Sequence, residues 1–414
     1  MKSRLDIRRF LTSEIMDHLV EPEITLLIGP RQAGKTTLLR HVADRLNEEG
    51  KKTCFYNVDI EKDRLLFAGQ ESFMNHLDQV TGGEKHYVFI DEVQRLPNAG
   101  LFLKGLYDRQ LPHKLIVTGS GSLELKEKIT ESLVGRKEIF FLPTVSPAEF
   151  VHYRTDYAYD KGVKEVLHTD RALMERILGE YLKYGGYPRV ITAKTEQRKL
   201  RILEEIYQGY MERDIKSLLQ LEKTSAFVTL MQLLANRAGH TINYSGLANQ
   251  TGLSTPTIKN YLWYAEKTFI LDVVRPYFSN KEKEITKAPT YYYWDSGLRN
   301  FLLGRYDDIN DRGMQFQSFV FRLLEDRFRH GIARINFWQT KSQAEVDFVV
   351  NRGYDLLPVE VKVMDMKQPK ITRSYRSFLT KYEPEEGWVV NRSYRGEMRI
   401  GKTLVRFLPW YDLL

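Results

Sequence analysis

Gly29, Gly34, Lys35 and Thr36 constrain this chain more than any other residues. In ITLLIGPRQAGKTTLLRHV (Ile24 to Val42) they spell G-x-x-x-x-G-K-T, the pattern of a loop that wraps a phosphate chain. The flanks agree with it. A β-branched apolar run, Ile24 to Ile28, leads in, and an amphipathic run, Thr37 to Leu46, leads out. Glycine lets the backbone curl so that several N–H groups converge on one polyanion. The helix that follows adds the positive end of its dipole. Gly29, Pro30, Arg31, Gln32, Ala33, Gly34, Lys35, Thr36 and Thr37 are therefore the expected nucleotide-binding residues. Lys35 is expected to reach the β- and γ-phosphates, and the Thr36 hydroxyl to hold Mg²⁺. Arg31 is expected to face solvent or a partner.

Length and composition set the frame. A chain of 414 residues with 42% hydrophobic and 28% charged residues is globular and long enough for two to four domains. A net charge of +8 fits a polyanionic partner, though over a chain of this size it is weak evidence alone. Cys54 is the single cysteine, which excludes an internal disulfide and suits a reducing cytoplasm. The start, MKSRLDIRRFL, lacks the apolar core of a signal peptide. No apolar run approaches the ~20 residues of a membrane span. A cytoplasmic protein without a membrane partner is expected.

Residues 1 to about 150 alternate short apolar strands with helical stretches. Strands are expected at Ile24–Ile28, Thr53–Val58, His86–Ile90, Lys114–Thr118 and Lys137–Leu142, the rhythm of a parallel sheet covered by helices. Helical spacing then dominates in Leu173–Tyr184, Arg198–Met211 and Phe227–Arg237. The expected fold class is α/β. Its parts are a nucleotide-binding domain over 1–155, a helical segment over 156–240, a winged helix over 241–295 and a C-terminal α/β domain over 296–414.

HYVFIDEVQRLP (His86 to Pro97) is an apolar strand ending in two acids. At the carboxyl edge of a parallel sheet Asp91 would sit beside the phosphate loop and hold Mg²⁺. Glu92 would polarise the attacking water. Ser120, at the end of KLIVTGSGS, either bonds the γ-phosphate or water or simply closes a Gly/Ser turn. Arg136, in ESLVGRKEIFF, either reaches phosphate in its own subunit or a neighbour's or is a surface residue. The catalytic set expected from the sequence is Glu92, Lys35, Ser120 and Arg136.

GPRQAGKTTLL, YVFIDEVQRLP, LIVTGSGSLEL and LVGRKEIFFLPTVSPAEF together resemble the bacterial and archaeal AAA-type ATPases that carry a C-terminal domain of unknown function. YLKYGGYPRVI (Tyr181 to Ile191) and EVDFVV…PVEVK extend the resemblance over nearly the whole chain. It implies an additional-strand P-loop fold and ATP as the nucleotide; a homo-oligomer is expected only if Arg136 acts on a neighbouring copy. It fixes the class and not the pathway.

Two further segments carry chemistry. INYSGLANQTGLSTPTIKNYLWYAEKTFIL (Ile242 to Leu271) reads as a helix-turn-helix: Ala248, Gly252 and Leu253 mark helix, turn and anchor, and Ser254 and Pro256 start the second helix. Strands Phe269–Pro276 and Thr290–Trp294 would form a wing with Lys281 to Lys287 at its tip. Thr255, Thr257, Lys259 and Asn260 are the expected DNA contacts, with protein docking as the other reading. YMERDI (Tyr210 to Ile215) reads as a solvated face or a salt bridge, and YLKYGGYP as a packing turn.

AEVDFVVNRGYDLLPVEVK (Ala344 to Lys362) reads as a hairpin with Asp347 on one strand and Glu360 and Lys362 on the other, sharing a face. D…E-x-K in this setting resembles the PD-(D/E)XK nuclease core, where two acids bind Mg²⁺ and the lysine assists water. Gln317 stands where that core usually has Glu, and an amide is a poorer Mg²⁺ ligand. A binding or inactive nuclease-like domain with a buried Asp347–Lys362 or Glu360–Lys362 pair is the preferred reading. Three functions stay open: an ATP-driven switch acting on DNA, an ATP-regulated nuclease, and a signalling or chaperone-like ATPase that docks proteins.

Overall fold

The computed structural model describes residues 7–414 apart from 121–131, 160–161, 212–224, 307, 330 and 354. Glu212, Arg213 and Asp214 lie outside the described residues. Two compact units divide the chain, one built mainly on the residues up to Val145, the other mainly on Ser146–Tyr207 and Ile270–Leu414.

The first unit is organised by five strands: β1 (Ile24–Gly29), β2 (Thr53–Asn57), β3 (Tyr87–Asp91), β4 (Lys114–Ser120) and β5 (Lys137–Phe141). They lie in the order β2-β3-β4-β1-β5, and every pairing is parallel. The boundaries fall within two residues of those expected, because β-branched and aromatic runs bounded by turns leave little choice. β4 is inserted between the two strands that lead to the nucleotide motifs, which is the additional-strand order that the resemblance implied. β1 and β3 are buried along their whole length, as central strands covered on both faces must be. One face carries Leu38, Leu39, Val42 and Leu46 of the helix Lys35–Glu48, packed with Ile116 and Phe89. The other carries Phe73, Leu77, Leu103 and Leu106 against Ile90 and Val117. Each such side chain contributes about 1.5–3 kcal/mol on burial. The carboxyl edge of this sheet receives Gly29, Asn57, Asp91 and Ser120 together.

The second unit begins with helices, among them Arg171–Tyr184, Glu196–Gly209 and Ser225–Asn236. These follow the expected periodicity. The YGGYP turn has a specific cause. Gly185 sits at φ +73°, and a Cβ there would lie 2.1 Å from Asp295 Oδ1. The fully buried Asp295 carboxylate accepts from Gly186 N at 2.7 Å and caps the helix Ser296–Leu303 through Leu298 N at 3.1 Å. Ser296 and Asn300 of that helix donate to the carbonyls of Tyr181, Leu182 and Lys183. One helix end is thus satisfied by the start of another.

Helices Tyr244–Thr251 and Thr255–Lys267 flank Gly252, which takes the left-handed conformation at φ +70°. Ser254 Oγ accepts from Thr257 N at 3.2 Å, the expected cap. The buried anchors are Leu247 and Ile258, whereas Leu253 is only half-buried. The expected wing differs. β6 (Leu271–Pro276) and β7 (Thr290–Tyr293) pair antiparallel, but Lys281–Thr286 between them is a short helix. β6 continues into a sheet with β8 (Arg334–Gln339), β9 (Glu345–Asn351), β10 (Leu356–Lys362), β11 (Glu386–Asn391), β12 (Gly396–Ile400) and β13 (Thr403–Pro409). The order is β12-β13-β11-β10-β9-β8-β6-β7, so the sheet runs across position 295 rather than stopping there. Backbone donors of β6 find partners in β8, which an isolated hairpin would leave to water.

Candidate functional site

The phosphate loop is built by close approach. A Cβ at Gly29 would lie 2.1 Å from the Leu142 carbonyl oxygen, so only glycine fits beside the segment leaving β5. Gln32 and Gly34 take positive φ, at 57° and 96°, and turn the backbone inward before the helix begins at Lys35. Ala33 is fully buried and Lys35 nearly so; Pro30 carries the loop on from Gly29; Arg31 and Thr36 are half-buried and Thr37 is exposed. The Lys35 ammonium donates to the carbonyls of Gly29 at 3.1 Å and Pro30 at 2.9 Å. Both bonds stay within the loop that Lys35 closes.

At the end of β3 the Asp91 carboxylate is inaccessible to solvent. Its Oδ2 accepts from Thr36 Oγ1 at 2.7 Å and from Asn57 Nδ2 at 3.3 Å, and its Oδ1 from Thr118 Oγ1. No Lys, Arg or His pairs with it among the described residues. A buried carboxylate held only by neutral donors, next to a Thr hydroxyl, suits a hard divalent cation. The residues therefore fit Mg²⁺ with nucleotide. Thr118 also accepts from Glu92 N at 3.0 Å, so one hydroxyl orients both acids. Glu92 stands at φ +59°, strained for a non-glycine residue, and its carboxylate accepts from Gln94 Nε2.

Asn57, Thr118 and Arg9 were not evident from the sequence. Arg9 is buried and its guanidinium donates to Ala33 O inside the loop at 2.9 Å, to Pro143 O at 2.7 Å and to Thr144 O at 3.2 Å. It ties the phosphate loop to the chain leaving β5. Thr118 carried a faint signal, a polar residue at the carboxyl end of an apolar strand; Arg9 carried none.

Ser120 closes β4 and pairs with Gly29, while its side chain lies outside the described residues. Arg136 is a correction. It precedes β5 at the strand's amino end, where its carbonyl accepts from Ile24 N at 2.9 Å. The phosphate loop lies at the opposite end of β1, about 16 Å away at the rise of a strand. Arg136 is bound to Asp108, Nε to Oδ1 at 2.6 Å. It does not reach phosphate in its own chain.

In the second unit the hairpin forms as expected, with β9 and β10 antiparallel. Glu360 is buried and its Oε1 accepts from Lys362 Nζ at 2.7 Å and Thr372 Oγ1 at 3.1 Å. Asp347 Oδ2 instead accepts from Val361 N at 2.7 Å. Burial, with the Glu360 charge second, pushes the Asp347 carboxyl above the usual carboxylate range. Gln317, on the helix Arg312–Phe328, donates to the Tyr292 hydroxyl at 3.0 Å. The Glu360–Lys362 pair is the arrangement present. The expected DNA contacts are otherwise occupied in part. The Thr257 hydroxyl is 2.7 Å from Ser254 Oγ, and Lys259 Nζ lies 5.3 Å from the Tyr244 ring centre. Thr255 is half-buried, and Lys259 and Asn260 are exposed.

Residues 21–151 match the family described as AAA domain. Residues 175–308 and 312–413 match two domains of unknown function, DUF8612 and DUF4143. An uncharacterized protein of Methanocaldococcus jannaschii is 25% identical over 89% of this chain and 81% of its own length. One of Mycobacterium tuberculosis is 25% identical over 90% and 77%. Among solved structures, a RuvB of Thermotoga maritima aligns at TM-score 0.32 and 16% identity, covering 67% of this chain and 93% of that one. The family matches thus place an AAA domain in the amino-terminal part of the chain and domains of unknown function after it. No helix among the described residues is long and apolar enough to cross a membrane.

Proposed function

We propose that the chain hydrolyses ATP in a Mg²⁺-dependent reaction and uses the nucleotide state to switch its action on DNA. The observation that carries the hydrolytic part is the 2.7 Å bond between Thr36 and the buried Asp91, beside the loop that holds Lys35. Loop N–H groups and Lys35 would hold the phosphates; Thr36 and Asp91 would hold Mg²⁺, which neutralises phosphate charge when bound. Glu92, fixed through Thr118, would accept the proton of the attacking water. The backbone of Ser120 beside Gly29 supports a role for that residue near the γ-phosphate. Arg136 serves hydrolysis only if it reaches a neighbouring copy.

The test is the Mg²⁺-dependent ATPase rate. Lys35→Ala is expected to lose nucleotide binding, and Glu92→Gln to keep binding and lose hydrolysis by ~10²-fold or more, the size of a lost general base. Wild-type rates in both variants would refute the site.

The hairpin of Asp347, Glu360 and Lys362 supports a binding role ahead of cutting. Lys362 is bonded to Glu360, and the helix contributes an amide, Gln317, where a third hard oxygen ligand is wanted.

A further inference from the structure

Many cations in the second unit pair with acids, and one stretch concentrates cations that do not. From Lys367 to Lys381 the chain carries Lys367, Lys370, Arg373, Arg376 and Lys381 and no Asp or Glu. All five are exposed. Among the described residues Lys367, Lys370, Arg373 and Arg376 form no ion pair. By contrast, Arg171, Arg189, Arg352, Arg392 and Arg395 of the same unit each face a carboxylate within 4 Å.

The stretch is held firmly in place. Thr372 caps the helix Arg373–Tyr382 through Tyr375 N at 3.1 Å and also bonds Glu360 of the hairpin. Tyr375, Phe378 and Leu379 are buried against the sheet. Tyr375 donates to the carbonyls of Pro358 and Trp388, each at 3.0 Å. Packing these residues inward leaves Arg373, Arg376, Ser377 and Thr380 on the opposite face, at helical spacing. The segment that begins with Lys367 and Lys370 enters this helix directly.

We infer that this cationic face binds the phosphate backbone of duplex DNA. The inference rests on the reading that the chain acts on DNA, and it moves the contact from the helix-turn-helix to the helix after β10. Charge complementarity selects the partner. A duplex carries one negative charge per about 1.7 Å and releases counterions when lysine and arginine neutralise them. Helical arginines flanked by hydroxyls, here Ser377 and Thr380, are the groups that position a phosphate backbone. A membrane surface suits the face poorly, because an interfacial helix turns its apolar residues outward and here Tyr375, Phe378 and Leu379 are buried. A single strand suits it poorly too: it wants exposed aromatic rings on which bases stack, and the solvent face of this helix carries none.

The test uses the full chain and a fluorescent 30-base-pair duplex of arbitrary sequence, with affinity read by anisotropy at rising NaCl. The variant combines Lys367→Gln, Lys370→Gln, Arg373→Gln and Arg376→Gln, four exposed positions whose substitution is expected to leave the ATPase rate and thermal midpoint unchanged. The wild type is expected to bind with a steep salt dependence. The variant is expected to bind at least ~10-fold more weakly at low salt, with the slope of log K against log salt reduced by about 3 to 4, at ~0.9 per phosphate contact. A variant that keeps the wild-type affinity and slope overturns the assignment while leaving DNA action standing. So does loss of binding in Lys259→Gln with Asn260→Ala instead. A wild type that ignores the duplex at low salt, or binds only phosphatidylserine vesicles, overturns both the assignment and the DNA reading.

Discussion

Arg9→Ala offers the sharpest test of how the nucleotide site is held. The side chain is buried, and its guanidinium donates to the main-chain carbonyls of Ala33 at 2.9 Å, Pro143 at 2.7 Å and Thr144 at 3.2 Å. Hydrogen bonds from a charged donor contribute about 1.5–3 kcal/mol each by truncation, and desolvation of the guanidinium offsets part of that. The first unit is therefore expected to lose about 2–4 kcal/mol. Only the Ala33 bond belongs to the phosphate loop. Its loss, about 1.5 kcal/mol, corresponds to roughly a tenfold rise in nucleotide Kd. Arg9→Lys keeps the charge, but a single ammonium lacks the fork that bonds two carbonyls at once, so an intermediate Kd is expected. Urea unfolding gives the stability term. Titration with a fluorescent ATP analogue, at a temperature where both variants are folded, gives the binding term. Because these bonds go to main-chain carbonyls and not to Asp91 or Glu92, KM should move more than kcat. Unchanged nucleotide affinity in Arg9→Ala, together with lowered stability, would refute a positioning role and leave Arg9 a structural tie.

Two other substitutions probe different features. Gly29→Ala places a methyl 2.1 Å from the Leu142 carbonyl oxygen and is expected to abolish nucleotide binding, whereas Gly179→Ala, in a helix with nothing within 4 Å, should be neutral or stabilising by about 0.5–1 kcal/mol; nucleotide titration and thermal melts of both variants check the contrast. Asp295 is held up to about 6 by burial, its backbone donors opposing. A carboxyl raised in the folded state stabilises fully below its unfolded value near 3.8 and loses that contribution as pH rises through 6. Wild-type unfolding free energy should therefore fall by about 3 kcal/mol over that window from this group, at 1.36 kcal/mol per unit, and Asp295→Asn should flatten that part of the profile. Equal pH profiles for both proteins would count against the assignment.

Much of the first unit was legible because its signals are local. A phosphate loop is made of contiguous residues whose backbone angles follow from Gly29 and Gly34, and its strands are apolar runs between turns. The helix caps at Ser254 and the hairpin around Asp347 and Glu360 were readable for the same reason. The wing was misjudged because two strands and a polar connection look alike whether the hairpin stands alone or joins a sheet. Pairing of Arg275 with Asn336 settles that, and nothing near position 275 announces it.

The sequence by itself determined the nucleotide chemistry: which atoms can cradle phosphate, which strand ends in acids, and the period of each element. Tertiary structure decided everything that depends on strands lying side by side. It brought Thr118, Asn57 and Thr36 onto Asp91, and it carried Arg9 across to Ala33 and Pro143. It placed Arg136 at the far end of β5, and it closed Asp295 onto Gly186, 109 positions earlier. The reason is physical. Backbone geometry and periodicity are fixed by neighbours along the chain. Which polar groups meet in a buried site depends on sheet order and polarity, and those arise only when the whole core packs.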